Sequence, residues 1–110
     1  MIYELRIYEV VPGKMDELND AYRNHFAELM EKNGMKIIGF WETVIGTGNV
    51  LYYMLAFKDM AQREEAWKRH QEDPEMIRLN EERKKSGKYY SWMVRTTNVI
   101  LKPTDYSPLQ

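Results

Sequence analysis

Ile2-Tyr3-Glu4-Leu5-Arg6-Ile7-Tyr8-Glu9-Val10-Val11, closed by Pro12-Gly13-Lys14 and followed by Met15 and Leu18 at helical spacing, is the stretch that decides the fold. Alternate residues of a strand point to opposite faces. One face therefore carries Tyr3, Leu5 and Ile7 and is expected to pack under helices. The other carries Ile2, Glu4, Arg6 and Tyr8, half apolar and half ionic. A face of that kind suits a second sheet or a lined cavity.

Beyond this strand, a helix is predicted over about 14–32, with Met15, Leu18, Tyr22, His25, Phe26, Leu29 and Met30 along one stripe. Asn33-Gly34 is its stop, because glycine tolerates the left-handed backbone found there. Strands are predicted over about 36–45 and 50–58, joined by Gly46-Thr47-Gly48-Asn49. Asp59 with Gln62 resembles a capping box and opens a helix over about 59–72. Asp73-Pro74-Glu75 restarts a helix over about 74–86, with Asp as cap and Pro at the first helical position. A last strand is predicted over about 88–101, ended by Lys102-Pro103. The order βαββαβ makes a single α+β domain over 1–110: a ferredoxin-like plait, a four-stranded antiparallel sheet with helices on one face. A second copy stacking its sheet on the uncovered face is the economical solution. The expected assembly is a homodimer through sheet faces, with a closed or nearly closed barrel between subunits.

Composition narrows the function. The 110 residues suffice for one core, and 44% hydrophobic with 30% charged residues is a globular balance. A net charge of −1 lacks the basic excess of a nucleic-acid footprint. No apolar run is long enough to span a membrane, and no signal peptide is visible, so a cytoplasmic protein is expected. The absence of cysteine removes thiolate nucleophiles and Cys-based metal sites. Neither a metal nor a cofactor is expected. Gly46-Thr47-Gly48 is followed by a strand rather than a helix, so it reads as a hairpin and not a phosphate cradle.

Several residues invite a chemical reading. His25 lies four residues before Leu29, so it is expected near the sheet-facing side of its helix, where it could serve as general base. His70 comes three residues after Trp67, but the adjoining Gln71-Glu72-Asp73 favours a surface histidine. Glu4, Arg6, Glu42 and Arg95 are charges inside strand patterns and read as ion pairs spanning strands or subunits. Tyr52 and Tyr53 must face opposite ways. Tyr89 and Arg95 share one face of the last strand, and Tyr90 and Trp92 the other. An aromatic cluster is therefore expected to line a pocket for a small apolar or aromatic molecule, drawn from Tyr8, Tyr22, Trp41, Tyr53, Trp92 and Arg95.

Tyr3-Glu4-Leu5-Arg6 with Tyr8 and Pro12-Gly13-Lys14 resembles the opening of the NIPSNAP family. Gly39-Phe40-Trp41 with Ile45-Gly46, then Asp73-Pro74-Glu75 and the closing Ser107-Pro108-Leu109, resemble its later landmarks. The resemblance runs from residue 2 to residue 109. It implies a dimeric α/β barrel and no agreed catalytic signature. Met76 departs from the pattern, since the family often has Trp after Asp-Pro-Glu. The reading from the sequence is thus a NIPSNAP-like protein that binds a small molecule. The alternative is a cofactor-independent monooxygenase or isomerase with His25 as base.

Overall fold

In the computed structural model, residues 1–86 and 92–110 are described. The elements run β1 (Ile2–Val10), α1 (Met15–Ala21), a π-helical turn (Tyr22–Phe26), α2 (Ala27–Lys32), β2 (Lys36–Glu42), β3 (Val50–Phe57), α3 (Met60–Glu72), α4 (Pro74–Lys85) and β4 (Met93–Leu101). The sheet order is β2-β3-β1-β4 and every pairing is antiparallel. This is the ferredoxin-like α+β plait, with the helices packed on one side of the sheet. Of the predicted last strand, residues 88–91 lie outside the described residues, as do Tyr89 and Tyr90.

Local signals explain most boundaries. Gly34 takes φ +96, which lets the chain leave α2 and turn into β2. Asp59 accepts from the Gln62 amide at 2.8 Å to start α3, and Asp73 accepts from the Glu75 amide at 2.9 Å to start α4. Strand β2 stops at Glu42, three residues short of the expected end. Glu42 pairs with Leu51, leaving only Val50 before the turn, so Val44 and Ile45 have no strand to bond to and project almost fully into solvent. Among the described residues no helix is long and apolar enough to cross a membrane.

The faces of β1 are the reverse of the expectation. Glu4, Tyr8 and Val10 are buried toward the helices; on β3, Glu4 pairs with Leu55 and Tyr8 with Leu51, while Arg6 lies opposite Tyr53. Leu51, Tyr53, Leu55 and Phe57 join Leu18, Phe26, Leu29 and Met30 in the core. Each large apolar side chain sealed there contributes about 1.5–3 kcal/mol. Tyr3, Leu5 and Ile7 instead occupy the other face, opposite Ala56, Met54 and Tyr52 on β3. That face receives the C-terminal tail at one end, where the Tyr3 hydroxyl donates to the Gln110 carbonyl at 2.6 Å. The reversal has an electrostatic reason. Glu4 and Arg6 are inside because α3 supplies partners for their charges.

Candidate functional site

Between sheet and helices lies a cavity of about 430 Å³, with β1, β3, α1, α3, α4 and the threshold of β4 all contributing walls. Its floor is phenolic. Tyr8 from β1 and Tyr53 from β3 bring their hydroxyls to 2.7 Å, and Tyr22 donates to the Tyr8 oxygen at 3.3 Å. Their rings meet edge-on or tilted, with Tyr8 and Tyr53 at 5.2 Å and 82°. Tyr22 and Phe26 bracket the π turn of the first helix. A π turn takes more than 3.6 residues, so it rotates the downstream residues relative to an unbroken α-helix. Phe26 thereby enters the core, while His25 lies on the exposed surface.

Beneath the phenols sits an ion network. Arg6 donates through Nε and Nη2 to the Tyr8 oxygen, at 3.2 and 3.1 Å, and through Nη1 to Glu4 at 3.1 Å. Glu4 also accepts from Arg63 at 2.9 and 3.0 Å and from the Trp67 indole at 2.9 Å. The Arg6 guanidinium lies 4.5 Å from the Trp67 ring centre, a cation–π contact in a desolvated setting. Burial alone would raise the Glu4 carboxyl, but the bonds from Arg63 and Trp67 and the charges of Arg6 and Arg63 hold it below its ordinary value. Burial opposes the Arg6 charge, yet Tyr53, Tyr8 and Glu4 outweigh it and raise the guanidinium pKa. Burial, then neighbouring phenol oxygens, raises both Tyr22 and Tyr53, so these hydroxyls stay protonated at neutral pH.

Two further walls complete the cavity. Trp92 is carried into place by the Val11 amide, which bonds its carbonyl at 2.8 Å, and Phe26 contacts its ring at 6.1 Å. The Arg83 guanidinium stacks 3.6 Å above the Trp92 ring. His70, from α3, is buried beside Trp67 at 5.9 Å and lies 3.5 Å from the Asn33 amide. The expected surface histidine is thus a cavity wall. The reason is that Asn33 also bonds Asp73 at 3.0 Å and Lys32 reaches Asp73 at 3.2 Å, which closes the end of α2 over the α3–α4 junction.

Of the residues singled out from sequence, Tyr8, Tyr22, Tyr53 and Trp92 come together here. Trp41, Arg95, His25 and Glu42 do not. Trp41 is half-exposed on the opposite face of the sheet, where its ring lies over Gly39; a Cβ on Gly39 would come within 2.6 Å of it. Arg95 pairs with Glu9 across β4 and β1 on that same face. His25 lines an outer groove with Glu17, Glu82 and Arg83 rather than the cavity. Glu42 is exposed and far from pairing with Glu4; its carboxylate faces Asn19. Sequence reading missed Trp67, His70 and Arg63 as a group. Their spacing 63, 67, 70 on one helix face was the available signal.

The network sets an acid response. Burial lowers the pKa of His70 below 6.5 against the pull of Asp73 and the Leu29 carbonyl. The unfolded chain therefore binds that proton more readily, so the His70 contribution is complete above 6.5 and is lost as pH falls through the folded value. Asp73 is lowered to about 2 by the Asn33 and Glu75 bonds, so its contribution persists above 3.8 and goes as pH falls toward 2. Glu4 adds a loss below 4.5. Urea midpoints should decline in two stages on acidification, first below pH 6.5 and again below 4.5. A midpoint unchanged between pH 8 and pH 5 would contradict the buried His70.

The NIPSNAP family model matches residues 3–108. NipSnap homolog 1 of Danio rerio is 39% identical over 70 residues, 61% of this chain but 23% of the relative, so the chain spans about a quarter of that protein's length. A crystal structure of a NIPSNAP family protein from Agrobacterium tumefaciens superposes with TM-score 0.84 at 28% identity, covering 99% of this chain and 98% of that one. A candidate antibiotic biosynthesis monooxygenase from Nitrosomonas europaea shares the fold at TM-score 0.63 and 13% identity, over 94% of this chain and 98% of that one.

Proposed function

The chain belongs to the NIPSNAP family, and from that premise we propose that it acts as a homodimer whose subunits each bind a small apolar or aromatic molecule between sheet and helices. The observation that carries this reading is the aromatic-walled cavity of about 430 Å³, within the size range of small-molecule sites and fitted with a few convergent polar groups. The dimer is supported by the uncovered sheet face. Leu5 and Ile7 share it with Tyr52, Met54, Trp41, Val99 and Leu101, beside the end where the C-terminal tail meets Tyr3, an apolar surface of the kind that marks an interaction site. Trp41 stands about half-exposed on it. If the protein also performs oxygenation or isomerisation, its base is His70, the histidine on the cavity wall.

Native mass spectrometry tests both halves. The expected spectrum is a dimer that takes up one molecule of 1-anilinonaphthalene-8-sulfonate per chain. Trp41→Glu places a charge in the apolar face and should yield monomers that keep the probe site. A wild-type monomer at micromolar concentration would refute the dimer, and a chain that takes up no probe would refute the cavity as a binding site.

A further inference from the structure

We propose that the hollow between α3 and β4 is a second site, independent of the aromatic cavity, that binds the phosphoryl group of a small phosphate ester.

The hollow measures about 470 Å³, large enough for a small molecule. Among the described residues only Trp67 borders both this space and the aromatic cavity. Arg6 from β1 and Arg63 from α3 form its inner wall, and Asn98 pairs directly opposite Arg6 on β4. Strand β4 is an edge strand, and Asn98 is exposed there. Lys68 and Gln71, one turn apart on α3, complete the rim. The hollow opens on the helix side of the sheet, so a second copy stacked on the other face leaves it accessible.

Its walls hold more donors than the protein uses. A guanidinium has five N–H groups and no acceptor. Arg6 commits three of them, two to Tyr8 and one to Glu4, and Arg63 commits two to Glu4. The remaining N–H groups belong to side chains that keep 14% and 22% of their surface exposed. Neither arginine borders the aromatic cavity, so the exposed part of the inward-facing Arg6 opens on this hollow. The side chains of Lys68, Gln71 and Asn98 have no partner among the described residues, and each adds N–H donors at the rim. A carboxylate would leave much of that set unused. A phosphoryl group brings three strong acceptor oxygens and close to two negative charges.

The charge balance has the matching sign. Arg6, Arg63 and Lys68 stand against two carboxylates, Glu64 on the rim and Glu4 beneath. Glu4 is the shared ion-pair partner of both arginines, so one positive charge stays in excess. Concave walls of low dielectric focus such an excess onto whatever occupies the hollow.

Calorimetric titration of the purified protein with phenyl phosphate, inorganic phosphate and benzoate tests the site, at pH 7.5, where the ester is close to a dianion. Phenyl phosphate should bind about tenfold tighter than benzoate. Lys68→Gln should weaken it about fivefold, and Glu64→Gln should strengthen it by about the same factor. Both side chains are exposed, so both variants keep the fold. Met76→Trp, which fills space in the aromatic cavity, should leave phenyl phosphate affinity unchanged. Inorganic phosphate binding as tightly as the ester would support phosphoryl recognition with free phosphate as a sufficient ligand, and weaker binding would support the ester. No detectable binding of phenyl phosphate, equal or tighter binding of benzoate, or an affinity unmoved by both charge variants would overturn the proposal. Loss of phenyl phosphate binding in Met76→Trp would place that ligand in the aromatic cavity, overturning the second site while leaving the first intact.

Discussion

Glu4→Gln should destabilise the fold by about 3 kcal/mol, the largest effect expected from any conservative change in this chain. Glu4 is fully buried and holds Arg6, Arg63 and Trp67 at once. Glutamine keeps the shape and one acceptor oxygen. It replaces the other oxygen with an NH2 group that faces guanidinium N–H donors, and it leaves two cations sharing no anion. Removing one partner from a buried ion cluster costs far more than the cluster contributes over an apolar substitute, because the remaining charge stays desolvated. The lower end of the usual range is expected, since the Arg63 side chain is 22% exposed and can turn toward water. Urea unfolding at pH 7 measures it. A loss below about 1 kcal/mol would mean that Glu4 is a surface-like ion pair and not the hub of the layer. The triple change Glu4→Met, Arg6→Met, Arg63→Leu should recover most of the loss, as all the charges leave together.

Met76→Trp should abolish most of the probe binding with no loss of stability. Met76 is half-buried on α4 and lines the cavity together with Asn80, one turn further along the same face. An indole there fills space that the thioether leaves open, adding apolar contact without displacing packed neighbours. Filling such a gap typically raises stability by about 0.5–2 kcal/mol. Affinity for 1-anilinonaphthalene-8-sulfonate should fall at least tenfold, about 1.4 kcal/mol, because the ring must share the cavity with the new side chain. Fluorescence titration and thermal melting read the two effects separately. Unchanged probe affinity in a stable variant would place the probe elsewhere on the protein.

These two positions also show how unevenly the chain declares itself. Strand β1, the glycine stop at Gly34 and the caps at Asp59 and Asp73 are local features. Each rests on alternation, on a positive φ or on a side chain two or three residues from the amide it caps, and all were readable from neighbours in the sequence. The aromatic members of the cavity, Tyr8, Tyr22, Tyr53 and Trp92, were readable as candidates for the same reason: large rings at strand or helix spacing must be buried somewhere. His25 and His70 exchanged the positions expected of them, His25 lying on the surface and His70 on the cavity wall. A π turn rotates the helix between Leu18 and Leu29, and no count at 3.6 residues per turn foresees it. His70 is drawn inside by Asn33, thirty-seven residues earlier in the chain.

The alternation of β1 by itself determined a two-faced strand, and the order of periodic segments determined a four-stranded plait with a surplus of aromatic rings for one of its layers. Which face of β1 turns inward was decided only by tertiary structure. Tyr3, Leu5 and Ile7 are the greasier set and would go inside if transfer from water were the sole consideration. Glu4 and Arg6 go inside instead because Arg63 and Trp67, fifty-nine and sixty-three residues from Glu4, arrive on α3 with matching charge and a donor. A buried charge is tolerable only when its partners are present in space, and strand periodicity carries no information about partners that distant.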